Sequence, residues 1–419
     1  MNTAFTKRLT ALLLFCLVSA AFCQQDLNFN YRDEVKDVSD ISFYQPSPTD
    51  TQYPVTTESE KVKNVILLIG DGMGLSQVRL AALKAGGTDI RLYMEKMPVT
   101  GILTTEPHGR FITDSAAAAT AIACGIKTTN GTLGQDPDGL KYFSFAELHK
   151  IRGGRCGLVA TSELTHATPA GFASHVESRG MERAIAVQMI ENGFDVLFAG
   201  GKRYFLPKSD EKSNREDDRD LIKQALNSGY VFIEHRNQLR NLQPGTNKVL
   251  GLFSNHAMTT FAPEPTISEM ARTAIKVLSN KNENGFFLMV EGSQIDWAGH
   301  ANNVENIIKQ TLEFDMAVKE ALDFAVKDKN TLVLVTADHE TGGLVVTGGS
   351  SSENLAVEWA TKSHSASHVP LFAYGPQALN FTGVYHHTDL AAKIAEIMGI
   401  ENFPRTMQKQ PDKTELAAE

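Results

Sequence analysis

Seven apolar runs punctuate the chain: NVILLIG (64–70), RCGLVAT (155–161), DVLFAG (195–200), KVLGLF (248–253), GFFLMVEG (285–292), TLVLVTAD (331–338) and VPLFAYG (369–375). Each is short and apolar at consecutive rather than alternate positions, the pattern of strands buried on both faces. Between them, apolar residues recur with helical spacing at 115–125, 181–192, 217–228, 267–279, 303–326 and 388–398. Strands alternating with amphipathic helices predict an α/β fold, a three-layer α/β/α sandwich around a large, mostly parallel central sheet.

The two ends differ from this body. Lys7 and Arg8 precede a short apolar core at 12–18, small residues follow at Ser19 to Ala21, and cleavage fits after Cys23. That is a signal peptide over 1–23, too short to span a bilayer. Phe22 is too bulky for the usual lipoprotein junction at Cys23. Residues 24–60 read as a polar arm, 61–400 as the folded body and 401–419 as a polar tail that frays. The tail lacks the hydrophobic end of a lipid-anchor signal. The expectation is a protein exported to the periplasm or secreted, without a stable membrane anchor.

Composition narrows the function. Hydrophobic residues make up 42% of the chain, enough for a sizeable core, and the net charge is −9 with no basic stripe, which argues against nucleic-acid recognition. An acidic protein repels anionic substrates at long range, so an anionic substrate would need local cations. Of four cysteines, two lie in the leader. Cys124 and Cys156 sit in apolar contexts and read as buried free thiols, although export would permit a bridge. The charge run at 208–220 reads as a solvated loop leading into a helix.

In open α/β sheets, ligands collect at the carboxyl ends of strands, and there the runs give way to metal-ligand residue types. Asp71 stands between glycines in GDGMG; it can reach a metal or simply cap a helix. Asp114 and Ser115 precede an alanine run, so Ser115 falls at a helix N-terminus, where backbone N–H groups favour anions. Capping again competes as a reading. Asp296 and His300 are four apart, on one face of a helical turn, as a zinc pair requires. Glu291, at its strand end, suits a harder cation. Asp338 and His339 are adjacent, and the glycines that follow supply a bend that could present both. His364 competes with His368 as a further ligand. His166, Thr168 and Arg179 lie downstream of the second run, and an arginine can grip two phosphate oxygens. Together these residues suffice for two nitrogen/oxygen metal sites and one oxygen-rich site. Paired metals about 4 Å apart stabilise in-line displacement at phosphorus.

The motifs LLIGDGMG (67–74), TDSAAAATAIACGIKTTNGTLG (113–134), TPAGFASHVESR (168–179), EGSQIDWAGH (291–300) and TADHETGG (336–343) resemble those of the alkaline phosphatases, in family order over about 62–400. The resemblance implies an alkaline phosphomonoesterase that acts on small phosphate monoesters through a phosphoserine on Ser115. It implies one zinc on Asp71, Asp338 and His339, a second on Asp296, His300 and His364, and magnesium near Asp71, Thr168 and Glu291. Arg179 would bind phosphate, with Asp114 orienting it. His364 is preferred over His368 by its spacing to Tyr374-Gly375-Pro376. His166 and Trp297 depart from the enteric pattern of aspartate and lysine and are similar to cold-active members. Imidazole makes zinc an alternative occupant of the third site, and Trp297 removes a cation from the phosphate pocket. A homodimer is usual in the family. A phosphodiesterase of the same superfamily is the competing enzyme reading, and an exported metal- or phosphate-binding protein the non-enzyme one.

Overall fold

Asn64–Gly70 lies at the heart of a ten-stranded sheet, buried at every position. Thr331–Thr336 and Phe286–Gly292 run parallel on either side of it, with Leu68 opposite both Val335 and Val290. In the computed structural model, which describes residues 39–46, 53–55 and 61–407, the strands follow one another across the sheet as Gly383–His386, Val99–Thr104, Val369–Tyr374, Thr331–Thr336, Asn64–Gly70, Phe286–Gly292, Arg155–Glu163, Val196–Gly200, Val249–Leu252 and Val231–Ile233. Val369–Tyr374 alone runs antiparallel to its neighbours. Parallel pairing requires crossovers, and helices supply them.

Two groups of helices meet the central strand Phe286–Gly292. Ile267–Ser279 and Val304–Asp328 pack on one another and on that strand; Phe145–Ile151 and Ala167–Gly171 touch it as well, and both pack against Ser115–Cys124, on which His387–Ile397 lies. The predicted α/β fold with a large, mostly parallel sheet is therefore present. Each apolar run forms a strand. The last two residues of TLVLVTAD leave the ladder after Thr336, and this frees Asp338.

Parts of the expected arm are packed. The Tyr44 hydroxyl donates to Asp315 Oδ2 at 2.7 Å, and the Tyr53 ring lies 5.2 Å from that of Tyr374. The predicted tail begins ordered instead of frayed: Arg405–Thr406 pairs antiparallel with Tyr142–Phe143. The leader, at 1–23, and residues 408–419 lie outside the described residues. The charge run is a loop whose Asp220 caps Leu221–Asn227, but it is not wholly solvated. Arg215 is buried and held by Asp217 and the carbonyls of Arg183 and Tyr204. Cys124 and Cys156 are buried free thiols. Among the described residues, no helix is long and apolar enough to cross a membrane.

Candidate metal centre

Three adjacent parallel strands deliver the acidic residues. Asp71 follows Gly70, Glu291 is the last residue but one of Phe286–Gly292, and Asp338 comes two residues after Thr336. Gly72, at φ +73°, turns the chain after Asp71. A Cβ there would fall 2.7 Å from the Asp296 Cα and 2.8 Å from the Thr341 hydroxyl. The bare turn thus lets the helix Gln294–His300 approach Asp71.

The predicted ligands converge in three overlapping groups: Asp71, Asp338 and His339; Asp296, His339 and His364; and Asp71, His166 and Glu291. Within each, one ligand atom per residue lies within 4.8 Å of the others. His339 Nε2 lies 3.2 Å from Asp338 Oδ2 and 3.5 Å from Asp71 Oδ1. Its ring stacks on His364 at 3.6 Å. His300 joins the second group: its Nε2 is 3.1 Å from His364 Nε2 and 3.4 Å from Asp296 Oδ2. Thr168 is fully buried beside Glu291. His368 stays at the surface.

Two backbone carbonyls fix the imidazoles. His300 Nδ1 donates to Lys362 O at 2.7 Å, and His364 Nδ1 donates to Thr113 O at 2.8 Å. A carbonyl only accepts, so Nδ1 carries the proton in each ring and the Nε2 atoms face one another and Asp296. This is how metal-binding histidines are usually oriented. Thr341 contributes a short hydrogen bond to Asp296 and a second contact, 3.2 Å, to His339 Nδ1. Lys362, Thr113 and Thr341 were not legible as site residues. Two act through main-chain oxygens, and Thr341 is placed by the bend after His339.

The electrostatics call for cations. Asp71, Glu291 and Asp338 are fully buried and Asp296 nearly so. Neither oxygen of Asp71, nor Glu291 Oε1, nor Asp338 Oδ2 accepts a hydrogen bond. Burial, then the charges of Asp338 and Asp296, pushes Asp71 well up. Burial lifts Glu291 to about 7 and, with Asp296, lifts Asp338 to about 6. Burial also opposes the charge of Asp296, but His300 and His364 outweigh it and hold that carboxyl low. Carboxylates buried without partners are costly unless cations neutralise them. The donor set therefore fits divalent metals, zinc at the mixed imidazole–carboxylate groups and an oxygen-preferring ion near Glu291.

Ser115 opens the helix Ser115–Cys124, with Oγ 3.3 Å from His339 Nε2. The two carboxylate oxygens of Asp114 have different partners. Its Oδ1 accepts from Ala117 N at 2.9 Å, a helix cap, while Oδ2 accepts from Gly131 N at 3.0 Å and from the Arg179 guanidinium at 3.4 Å. Arg179 also donates to His166 Nε2 at 2.9 Å, and the His166 ring meets Trp297 edge-on at 6.0 Å. Hydroxyl, guanidinium fork and candidate metal-ligating groups thus lie together at the carboxyl end of the sheet.

Comparison with known proteins agrees with this arrangement. The profile of the family described as alkaline phosphatase matches residues 62–356 and 349–400. Alkaline phosphatase 3 of Bacillus subtilis is 34% identical, the match covering 80% of this chain and 88% of that protein. The alkaline phosphatase of the Antarctic bacterium TAB5 superposes with a TM-score of 0.71 at 34% identity, over 82% of this chain and 99% of that one. A variant of the TAB5 protein with one histidine changed to aspartate superposes with the same TM-score, identity and coverage, and is described with magnesium bound in its third metal site.

Proposed function

The chain belongs to the alkaline phosphatase family, and on that premise we propose that Ser115 is its nucleophile, set among carboxylates and imidazoles that hold the cations on which its activity depends. The protein is a metal-dependent phosphomonoesterase. The observation that carries the residue assignment is the Ser115 hydroxyl at a helix N-terminus, 3.3 Å from His339, the imidazole that two of the ligand groups share. Asp71, Asp338 and His339 would hold one zinc, and Asp296, His300 and His364 a second. Asp71, Glu291, Thr168 and His166 would hold a third ion. His166 makes zinc a competitor of magnesium there, because imidazole suits zinc better.

When bound, the cations supply positive charge that acidifies the nucleophile and stabilises the departing oxygen. The remaining work belongs to the chain. Arg179 grips two non-bridging phosphate oxygens, held to its angle by Asp114 and His166. The helix N-terminus behind Ser115 adds N–H groups towards the phosphoryl charge. Ser115 Oγ attacks phosphorus in line with the ester oxygen, the alcohol leaves, and a phosphoserine remains. Water then attacks phosphorus in line, and Ser115 Oγ is the second leaving group. Two in-line displacements give net retention at phosphorus. Trp297, beside His166 and in place of a cation, weakens the hold on product phosphate. The sequence signals for export and the family habit of forming homodimers complete the proposal: a periplasmic or secreted dimer acting on small phosphate monoesters.

The test is hydrolysis of a chromogenic monoester and of the matching diester at alkaline pH. Monoester turnover lost to chelation and restored by zinc is expected. Faster turnover of the diester, or activity indifferent to chelation, would overturn the proposal.

A further inference from the structure

Glu340 directly follows His339 in TADHETGG. It is 4% exposed, and the hydrogen bonds of its carboxylate go to residues other than the ligands placed above. Its carboxylate instead collects four donors from three segments. Oε1 accepts from Gln77 Nε2 at 2.8 Å and from Leu344 N at 3.2 Å; Oε2 accepts from Gly343 N at 3.2 Å and, in a short bond, from the Ser365 hydroxyl. Ser365 adjoins His364. Gln77 belongs to Leu75–Gly86, the helix that follows the Asp71 turn, and its amide also donates to Thr341 O at 2.9 Å.

His364 needs such a hold. The strand that carries it, His364–Ser365, is two residues long and pairs only with the two-residue Glu340–Thr341, in the register Glu340 to Ser365 and Thr341 to His364. A ladder that short is not stable by itself, and one residue of slip would turn His364 away from Asp296. A second, independent sign comes from Gly74. Its backbone, at φ −80° and ψ 177°, is open to any residue, yet a Cβ there would lie 2.5 Å from Glu340 Cγ. The last glycine of GDGMG therefore makes room for the Glu340 side chain instead of serving a turn.

We propose that Glu340 is a positioning residue for the metal centre: its buried carboxylate clamps the His364 strand to the helix after Asp71 and so sets the spacing between the two zinc groups. The assignment rests on the metal reading above. It concerns how firmly one ion is held, because Glu340 touches neither substrate nor reacting atoms. Residues that orient ligands in this way typically change metal affinity about 10- to 100-fold when removed.

The test counts zinc directly. Zinc-loaded protein is equilibrated against a graded series of chelator-buffered free zinc, and bound zinc per chain is measured by atomic emission. The binding step lost in a His364→Ala variant identifies the ion concerned. In Glu340→Ala, that step is expected to move to about 10- to 100-fold higher free zinc, with the other steps unchanged. If all steps move together, or this one stays, the proposal is overturned. Should Glu340→Ala fail to fold, Ser365→Ala decides: of the four bonds to Glu340 it cuts only the one to the His364 strand, together with the Ser365 hydroxyl's contacts to the exposed Ser367. The same step should move by several-fold, and an unmoved step overturns the proposal. Wild-type protein that takes up no zinc would overturn the metal reading as well, whereas normal wild-type uptake with unmoved variants overturns the Glu340 assignment alone.

Discussion

Replacing Asp114 separates two jobs that one carboxylate performs. Oδ1 caps the helix of Ser115 through Ala117 N, while Oδ2 holds Gly131 N and the Arg179 guanidinium. Asparagine caps as well as aspartate, so Asp114→Asn with its oxygen on Ala117 N keeps the helix start. Its amide then faces the Gly131 N–H and Arg179, donor against donor. The Arg179–Asp114 side chains are 23% and 19% exposed, so their link is worth about 1 kcal/mol, not the value of a fully buried pair. That corresponds to about five-fold in kcat/KM. Asp114→Ala loses the cap too, about 1 kcal/mol more, or about 2 °C in melting temperature for a chain of this size. The assay is monoester kinetics, phosphate inhibition and thermal melting of both variants, with a cycle against Arg179→Lys. The asparagine variant should melt like wild type, lose about five-fold in kcat/KM and be non-additive with Arg179→Lys. Full activity in Asp114→Asn, or strict additivity, would refute the orienting role and leave only the cap.

Two further outcomes follow from burial and charge. Burial raises Glu313 to about 8 against the pull of Lys309. The folded state therefore keeps a proton that the unfolded chain has released, and stability falls as pH rises from about 4.5 to about 8. Glu313→Gln removes this effect, so its unfolding free energy, measured by denaturant titration, should gain on wild type across that window and level off above it, by about a few kcal/mol at most; a pH-independent difference would contradict the reading. Trp297→Lys returns a cation to the phosphate pocket beside His166 and should tighten inhibition by inorganic phosphate about ten-fold. Unchanged inhibition would contradict the role given to Trp297.

The strands that carry the site were legible because they are apolar on both faces and end in Asp, Glu or Gly. Val99–Thr104 was not read as a strand, because it is exposed at Thr100 and part-exposed at two further positions. Val231–Ile233 and Gly383–His386 are short edge strands with exposed residues. The choice of His364 over His368 came from family spacing; the structure places His364 against Asp296 and leaves His368 outside. What stayed hidden was the support. Thr113 and Lys362 act through carbonyls that carry no residue signature. Thr341, Gln77 and Ser365 matter only because a two-residue ladder brings distant segments together. Asp114 resisted choice between cap and functional residue because one of its oxygens caps the helix while the other meets Arg179.

The central claim, that hydrolysis passes through Ser115, is tested most directly by acid-quenching the zinc-loaded enzyme during monoester turnover and mapping phosphate by mass spectrometry. Phosphate on the peptide carrying Ser115, absent when the metal is chelated, is the expected result. Steady turnover with no phosphate on Ser115, together with a fully active Ser115→Ala variant, would contradict it.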